Sequence, residues 1–193
     1  MLSQQFIFGY SMGWMALEEL NHWMNNATFA PDMAFFATLA RLRMTSAKYL
    51  VHGVAYRPVE IAPHGATTAI PLILICDFGD ADSTGAPKCC NTSTVVASAW
   101  TNAAGDEIAI AVANHGVAPL TVELSLRLPA GYAGVGLIAW PMARRGVGDD
   151  SAPLSSSDSD IRVDRDNVAR VTKLLAARSA EVLELKSRAD YYK

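Results

Sequence analysis

The chain has 193 residues, 51% of them hydrophobic and 18% charged. That is enough apolar material for a sizeable core and excludes disorder by composition; the length suits one large domain or one domain with a substantial attachment. With 16 Lys+Arg against 19 Asp+Glu the net charge is -3, which argues against a nucleic-acid binder, whose phosphate contacts need a clustered basic surface.

Near the start, residues 4–8 (Gln-Gln-Phe-Ile-Phe) read as a short buried strand ending at Gly9. A helix is expected from about Trp14 to Met24. The opening lacks a basic n-region and a cleavage-like pair of small residues, so no signal peptide is read there. A stronger helix is expected from Pro31 to about Val51. Pro31 suits the first helical position, where its missing N–H costs nothing. Asp32 follows in the first turn, where a carboxylate complements the positive helix end. Phe36, Leu39, Ala40, Arg43, Ala47, Leu50 and Val51 fall near one face, headed by Met33. Gly53 is placed to end the helix in a left-handed cap.

Between about residues 57 and 67 the pattern changes from helical to short alternating runs divided by Gly, Pro, Asn and Ser. Four of the 16 basic and four of the 19 acidic residues lie before residue 67, so the later part carries the whole charge imbalance. Residues 120–128 alternate almost perfectly, with Leu120, Val122, Leu124, Leu126 and Leu128 on one side and Thr121, Glu123, Ser125 and Arg127 on the other. Residues 107–114 place Ile108, Ile110 and Val112 on one face and Ala109, Ala111 and Ala113 on the opposite one. So small a second face implies close covering by another element. Further strands are expected at 69–78, 94–101, 135–140, 167–175 and 180–185, with a short hairpin connection at 102–105 and a solvated loop at 149–160. A single sheet would leave the leucine row in water, so two facing sheets are expected. No run of about 18 apolar residues is present, and no membrane partner is expected.

The chemical groups are sparse. Cys76, Cys89 and Cys90 lack both a disulfide framework and zinc-ligand spacing, so reduced thiols and no metal are expected. Asn26-Ala-Thr28 and Asn91-Thr-Ser93 match the glycosylation acceptor pattern, which matters only on a secretory route. Asp77, Asp80 and Asp82 read as an acidic turn, since they lack the remaining ligands of a calcium loop. Ser11 in Gly9-Tyr-Ser-Met-Gly13 echoes a nucleophile elbow, but no Asp-then-His order supports a hydrolase of that class. Glu18 and Glu19 are adjacent on a helix and point about 100° apart, so they do not flank one bond. Trp100 and Trp140 sit within strand patterns and are expected in the core; Trp23 is expected to anchor its helix.

The strings Phe8-Gly-Tyr-Ser-Met-Gly-Trp14, Leu39-Ala-Arg-Leu-Arg43, Lys48-Tyr-Leu-Val-His-Gly53 and Arg57-Pro58, then Val95-Val-Ala-Ser-Ala-Trp100, Ile110-Ala-Val-Ala-Asn114 and Ala177-Arg-Ser-Ala-Glu-Val-Leu-Glu-Leu185, occur in an order that resembles the carboxyl-terminal end of barrel-type glycoside hydrolase-like proteins. The resemblance implies an α+β chain: an N-terminal helical remnant of a (β/α)8 barrel at 1–58, followed by an antiparallel β-sandwich at 59–193. A complete barrel needs about 250 residues, so most strand ends that would carry catalytic groups are absent and no catalytic residue is assigned. The resemblance places Tyr10 and Trp14 after a barrel strand, where an aromatic ring is expected to stack on the apolar face of a sugar; the alternative is that Trp14 packs into the barrel–helix interface. It implies a carbohydrate ligand, no cofactor, and either a missing barrel segment or self-association as partner. The alternatives are a non-enzymatic sandwich module for binding or structural contact, and an esterase-like hydrolase using Ser11.

Overall fold

The structure, a computed structural model, describes residues 7–8, 27, 30–63, 67–71, 89–129, 137–141 and 159–187. These form two helices, α1 (Ala30–Thr45) and α2 (Ala47–Leu50), followed by strands β1 (Val54–Pro58), β2 (Glu60–Ala62), β3 (Thr67–Pro71), β4 (Cys89–Ser93), β5 (Val95–Thr101), β6 (Ile108–Asn114), β7 (Leu120–Arg127), β8 (Leu137–Pro141), β9 (Ser159–Val163), β10 (Val168–Leu175) and β11 (Ser179–Ser187). Every pairing among them is antiparallel. The expected antiparallel portion is therefore present, whereas the barrel remnant is not shown: the described residues ahead of β1 are helical or turn-forming and include no parallel strand.

Nine strands follow the order β1-β5-β6-β11-β8-β9-β10-β7-β2, and β3 with β4 makes a separate two-stranded ribbon. The nine-strand run doubles back on itself into two layers. Strand β9 joins them on one side, pairing with β8 and with β10. On the other side the chain passes from β1 to β2 through Val59. Val59 is buried in the core between the layers, while β1 pairs with β5 and β2 with β7.

The alternation along β6 and β7 decides this packing. Ile108, Ile110 and Val112 of β6 share one core cluster with Val122, Leu124 and Leu126 of β7, Val171 and Leu175 of β10, and Leu183 and Leu185 of β11. Thr121, Glu123 and Arg127 of β7 face outward and are exposed. β7 thus has one wet face, as an antiparallel outer strand can. All seven residues of β6 are buried. Its alanine row, Ala109, Ala111 and Ala113, belongs to a second cluster with Leu39 and Leu42 of α1, Tyr49 and Leu50 of α2, and Trp100 and Val182. The covering element implied by the small face is this helical pair, so the molecule has three layers at this point: helix, sheet, sheet.

The helix departs from expectation in three ways. It is interrupted at Ser46 instead of running unbroken to Val51. Thr45 Oγ1 donates back to the carbonyls of Arg41 and Leu42, both at 3.1 Å, a competition with the backbone that bends helices. The carbonyl of Ser46 then accepts from both Tyr49 N and Leu50 N at 3.0 Å. Second, the buried stripe runs through Leu39, Leu42, Ser46, Tyr49 and Leu50, with Val51 exposed. Hydropathy underrates Ser46 and Tyr49, whose polar atoms conceal how much of each side chain can be buried. Third, Gly53 is no left-handed cap; Val51 closes α2 with a right-handed backbone, φ -118° and ψ -46°. Gly53 is required by close approach, since a Cβ there would lie 2.3 Å from the Thr101 carbonyl oxygen and 2.4 Å from that of Tyr49.

Residues 7 and 8 form a helical position and a turn, which overturns the strand expected at 4–8 for those two positions. The strand expected at 167–175 starts one residue later, because Asn167 takes φ 62° in the turn after β9. Its Nδ2 donates to the carbonyls of Leu128 and Pro129 at 2.9 and 2.6 Å. Asn tolerates this left-handed backbone better than most residues. Strands β1, β2 and β4 carry no periodic signal long enough to be read locally, and β9 begins inside the segment expected to be loop. The strand expected at 69–78 overlaps β3 at its start, and the remainder lies outside the described residues, as does the helix expected at 14–24.

The alanine row makes a direct prediction. Ala111→Leu should destabilise the chain by about 1–3 kcal/mol through overpacking beneath the helix, and Leu124→Ala by about 2–5 kcal/mol through a core cavity. Urea unfolding midpoints of the two variants check both values; an Ala111→Leu variant as stable as the parent would show that the helix does not press on this face.

Candidate functional site

The most concentrated chemistry among the described side chains lies where α2 meets the outer face of the sheet. In β11, Ala180 and Val182 lie against the helix while Leu183 and Leu185 enter the core between the layers. Alternation therefore carries Glu184 to the helix-facing side, directly paired in register with Ala109 of β6. Its side chain is only 5% exposed. Burying a carboxylate there is costly unless a cation and hydrogen-bond donors meet it.

Helix α2 supplies both. Tyr49 Oη donates to Glu184 Oε1 at 2.7 Å, and the Lys48 ammonium pairs with the same oxygen. Lys48 Nζ also donates to Glu107 Oε2 at 3.0 Å, and it stands 4.8 Å from the centre of the Tyr49 ring. Tyr49 Oη lies 3.5 Å from Glu107 Oε2, at the long limit of a hydrogen bond.

Glu107 is positioned by the β5–β6 hairpin. Asn102 Oδ1 accepts from the backbone N–H groups of Gly105, Asp106 and Glu107 at 2.9, 3.1 and 3.3 Å. Its Nδ2 donates to Asp106 Oδ1 at 2.6 Å and to Glu107 Oε2 at 3.1 Å. Gly105 takes φ 79°, the left-handed conformation that this turn requires. The expected hairpin connection is thus also a carboxylate holder.

The electrostatics follow from this packing. Burial pushes the Tyr49 hydroxyl far above its ordinary value, and the Glu184 carboxylate reinforces the effect. Tyr49 therefore remains a neutral donor. Burial alone would lower the Lys48 pKa, but its hydrogen bonds to Glu184 and Glu107 outweigh that and hold it above 10.5. The ammonium bridges two carboxylates from different strands and occupies the gap between them. Chemically, the arrangement is a charge-paired clamp between helix and sheet.

Neighbouring polar groups serve the same joint. Trp100 Nε1 donates to the Ile7 carbonyl at 3.1 Å and to Ser98 Oγ at 2.8 Å, and Ser98 Oγ donates to the Ile7 carbonyl at 2.6 Å. Trp100 is 8% exposed, in agreement with its expected core position. Asn114 is fully buried; its Nδ2 donates to the carbonyls of Ala118 and Ala176 at 2.9 Å. At the far end of the helix, Arg178 Nε pairs with Asp32 Oδ1 at 3.2 Å.

Tyr10 and Trp14 lie outside the described residues, together with Ser11, Glu18, Glu19, Trp23, Asp77, Asp80 and Asp82. Cys89 and Cys90 stand next to each other on β4 and are paired in register with Pro71 and Ile70. Among the described residues no group of three or more His, Cys, Asp or Glu side chains is arranged to hold a metal, and no helix is long and apolar enough to cross a membrane. Sequence reasoning passed over Lys48, Tyr49, Glu107 and Glu184. One signal was available: β11 is apolar on both faces, so a Glu at either phase demands a partner from another element.

No family model matches the chain, and no curated protein matches it. Among solved structures, part of the chain is similar to the crystal structure of a glycoside hydrolase family 30 subfamily 8 xylanase from Clostridium acetobutylicum, with a TM-score of 0.32 and 18% sequence identity. The likeness covers 52% of this chain and 23% of the xylanase, so this chain spans less than a quarter of that protein. It is a weak and partial structural match and transfers no residue roles.

The clamp predicts alkaline lability. Both Tyr49 and Lys48 have folded-state pKa values above their unfolded ones, so their contribution is fully present below about pH 10 and is lost as pH rises through the folded values. Urea-unfolding free energies should be level from neutrality to about pH 10 and decline above it. Tyr49→Phe should cost about 1–3 kcal/mol at pH 7, because Glu184 loses a buried donor, and should make the alkaline decline shallower. A pH profile unchanged by that substitution would remove Tyr49 from this account.

Proposed function

We propose that this chain is the carboxyl-terminal portion of a glycoside hydrolase-like protein, carbohydrate-related and not catalytic by itself. One observation carries the reading. The strings that bear the family resemblance are scattered from residue 8 to residue 185, and from five of them Leu39, Leu42, Tyr49, Leu50, Trp100, Ala111, Ala113, Ala180 and Val182 meet in one buried cluster. Strings distributed this way through a chain, yet joined in space, behave as a single architectural unit in which a helix docks on a sheet.

The non-catalytic half of the reading rests on the absent barrel strands and, among the described residues, is supported by the clamp. Glycoside hydrolysis ordinarily needs two carboxyl groups flanking a scissile bond. Glu107 and Glu184 instead share the Lys48 ammonium, which sits where such a bond would have to lie. The sugar-contacting residues in this proposal are Tyr10 and Trp14, acting by ring stacking, and the barrel-like partner is supplied by a missing segment or by self-association. A non-enzymatic two-layer module, with no link to carbohydrate, is the second reading. It is favoured by the helix finding its buried partner within this same chain.

Affinity electrophoresis of the full chain through gels containing a panel of soluble polysaccharides separates the two. Retardation by at least one polysaccharide is expected, with Tyr10→Ala and Trp14→Ala each weakening it about two- to tenfold, the worth of a stacking contact of about 0.5–1.5 kcal/mol. A folded chain retarded by none would leave only the second reading. Release of reducing sugar that disappears in Glu107→Gln or Glu184→Gln would overturn the non-catalytic assignment.

A further inference from the structure

Among the described residues, the buried apolar side chains divide into two groups with no member in common. The cluster between the two layers draws on Val59 and on strands β5, β6, β7, β9, β10 and β11, with Leu128 just beyond β7, and contains no buried residue from α1 or α2. The other cluster is the joint itself, where Ile7, α1 and α2 meet the outer side of β5, β6 and β11. The inter-layer core is therefore closed without the helices. The sheet side of the joint is made largely of Ala109, Ala111, Ala113 and Ala180, whose small side chains offer little apolar area per residue.

Ile7, Leu39, Tyr49 and Leu50 supply the apolar side of the joint, and charge pairs fix its two ends. Asp32 of α1 pairs with Arg178, in the turn before β11. Lys48 and Tyr49 of α2 meet Glu184, near the end of β11, and Glu107 of the hairpin. Each of these ties has one partner on the helices and one on the sheet side. Undocking the helices as one piece would break them together, return the Glu184 carboxylate to water, and leave the inter-layer core intact. Proteins open in such units wherever a segment's contacts are few and separable.

We infer that α1 and α2 form a detachable cover, a local two-state element whose docked state is selected by the placement of Lys48 and Tyr49 over Glu184. The charge pairing sets the register of docking: a helix seated one turn away would bury Glu184 without its cation. Opening the cover uncovers Trp100 and the alanine row, while β7 and β10 keep their pairing.

Native-state amide hydrogen exchange on the full chain, at low and increasing denaturant, tests this. Amides of residues 34–50 are expected to exchange through an opening of lower free energy and weaker denaturant dependence than amides of β7 and β10. Lys48→Met should accelerate the helix amides at least about tenfold and leave those of β7 and β10 within about twofold of the parent. Leu124→Ala should do the reverse, accelerating the β7 and β10 amides and leaving the helix opening unchanged. One common exchange free energy for both sets in the parent chain would overturn the inference. So would equal acceleration of both sets by Lys48→Met, or none of the helix set.

Discussion

The structure depends on one strand having two different buried faces. β6 sends Ile108, Ile110 and Val112 into the space between the layers and Ala109, Ala111 and Ala113 under the helix. Interleaving large and small side chains along a strand sets two distances at once. The branched row holds the facing sheet at the separation that interlocking aliphatic side chains need, while the alanine row lets a helix settle close to the sheet backbone. Exchanging the two rows by a one-residue slip would leave the inter-layer space underfilled and the helix without room. The register of β5, β6 and β11 is therefore held by packing on both sides.

Closure of the two layers is handled at their margins. β9 belongs to both, and the short passage from β1 through Val59 to β2 joins them on the other side. Sheet edges are liabilities because unpaired backbone groups invite another chain, and sharing one strand while crossing over at another position reduces them. The turns that permit this are fastened by side chains. Asn167 ties the β9–β10 turn to the end of β7, and Asn114 ties the end of β6 to the β10–β11 turn. Asp164 receives the Val168 N–H, the Arg170 guanidinium and the Asp166 N–H, which in that order hold its carboxyl below the usual range.

Polar groups at the helix–sheet joint act differently from the apolar ones. Alanine and valine accept any neighbour of suitable shape, whereas Glu184 is tolerable only beneath a donor and a cation. A buried charge of this kind restricts geometry more than it adds stability. The same logic applies between the layers, where Lys173 is 8% exposed and pairs with Glu181 at 3.0 Å. Lys173 stands on β10 in the same phase as Val171 and Leu175, a position that alternation alone assigns to an apolar side chain. Each buried ion pair is thus a place where the strand pattern is broken by a residue whose partner lies on another strand or helix.

Much of the strand content was legible locally. Period-two alternation is a property of a single extended segment, so β5, β6, β7, β10 and β11 could be read with small errors at their ends, and the alanine face already demanded a cover. The site that Glu107 and Glu184 form was not legible, because their shared partner Lys48 is 59 and 136 residues away from them in the chain. Nor were β1, β2, β4 and the start of β9, which are short, partly polar and stabilised by pairing across the sheet. What residue order decided here is which side chains each strand turns to its two faces, since backbone geometry alone alternates them. What only the tertiary structure decided is which element covers the alanine row and which cation meets the buried carboxylate. Those choices are set by contacts between distant segments, and no local period encodes them.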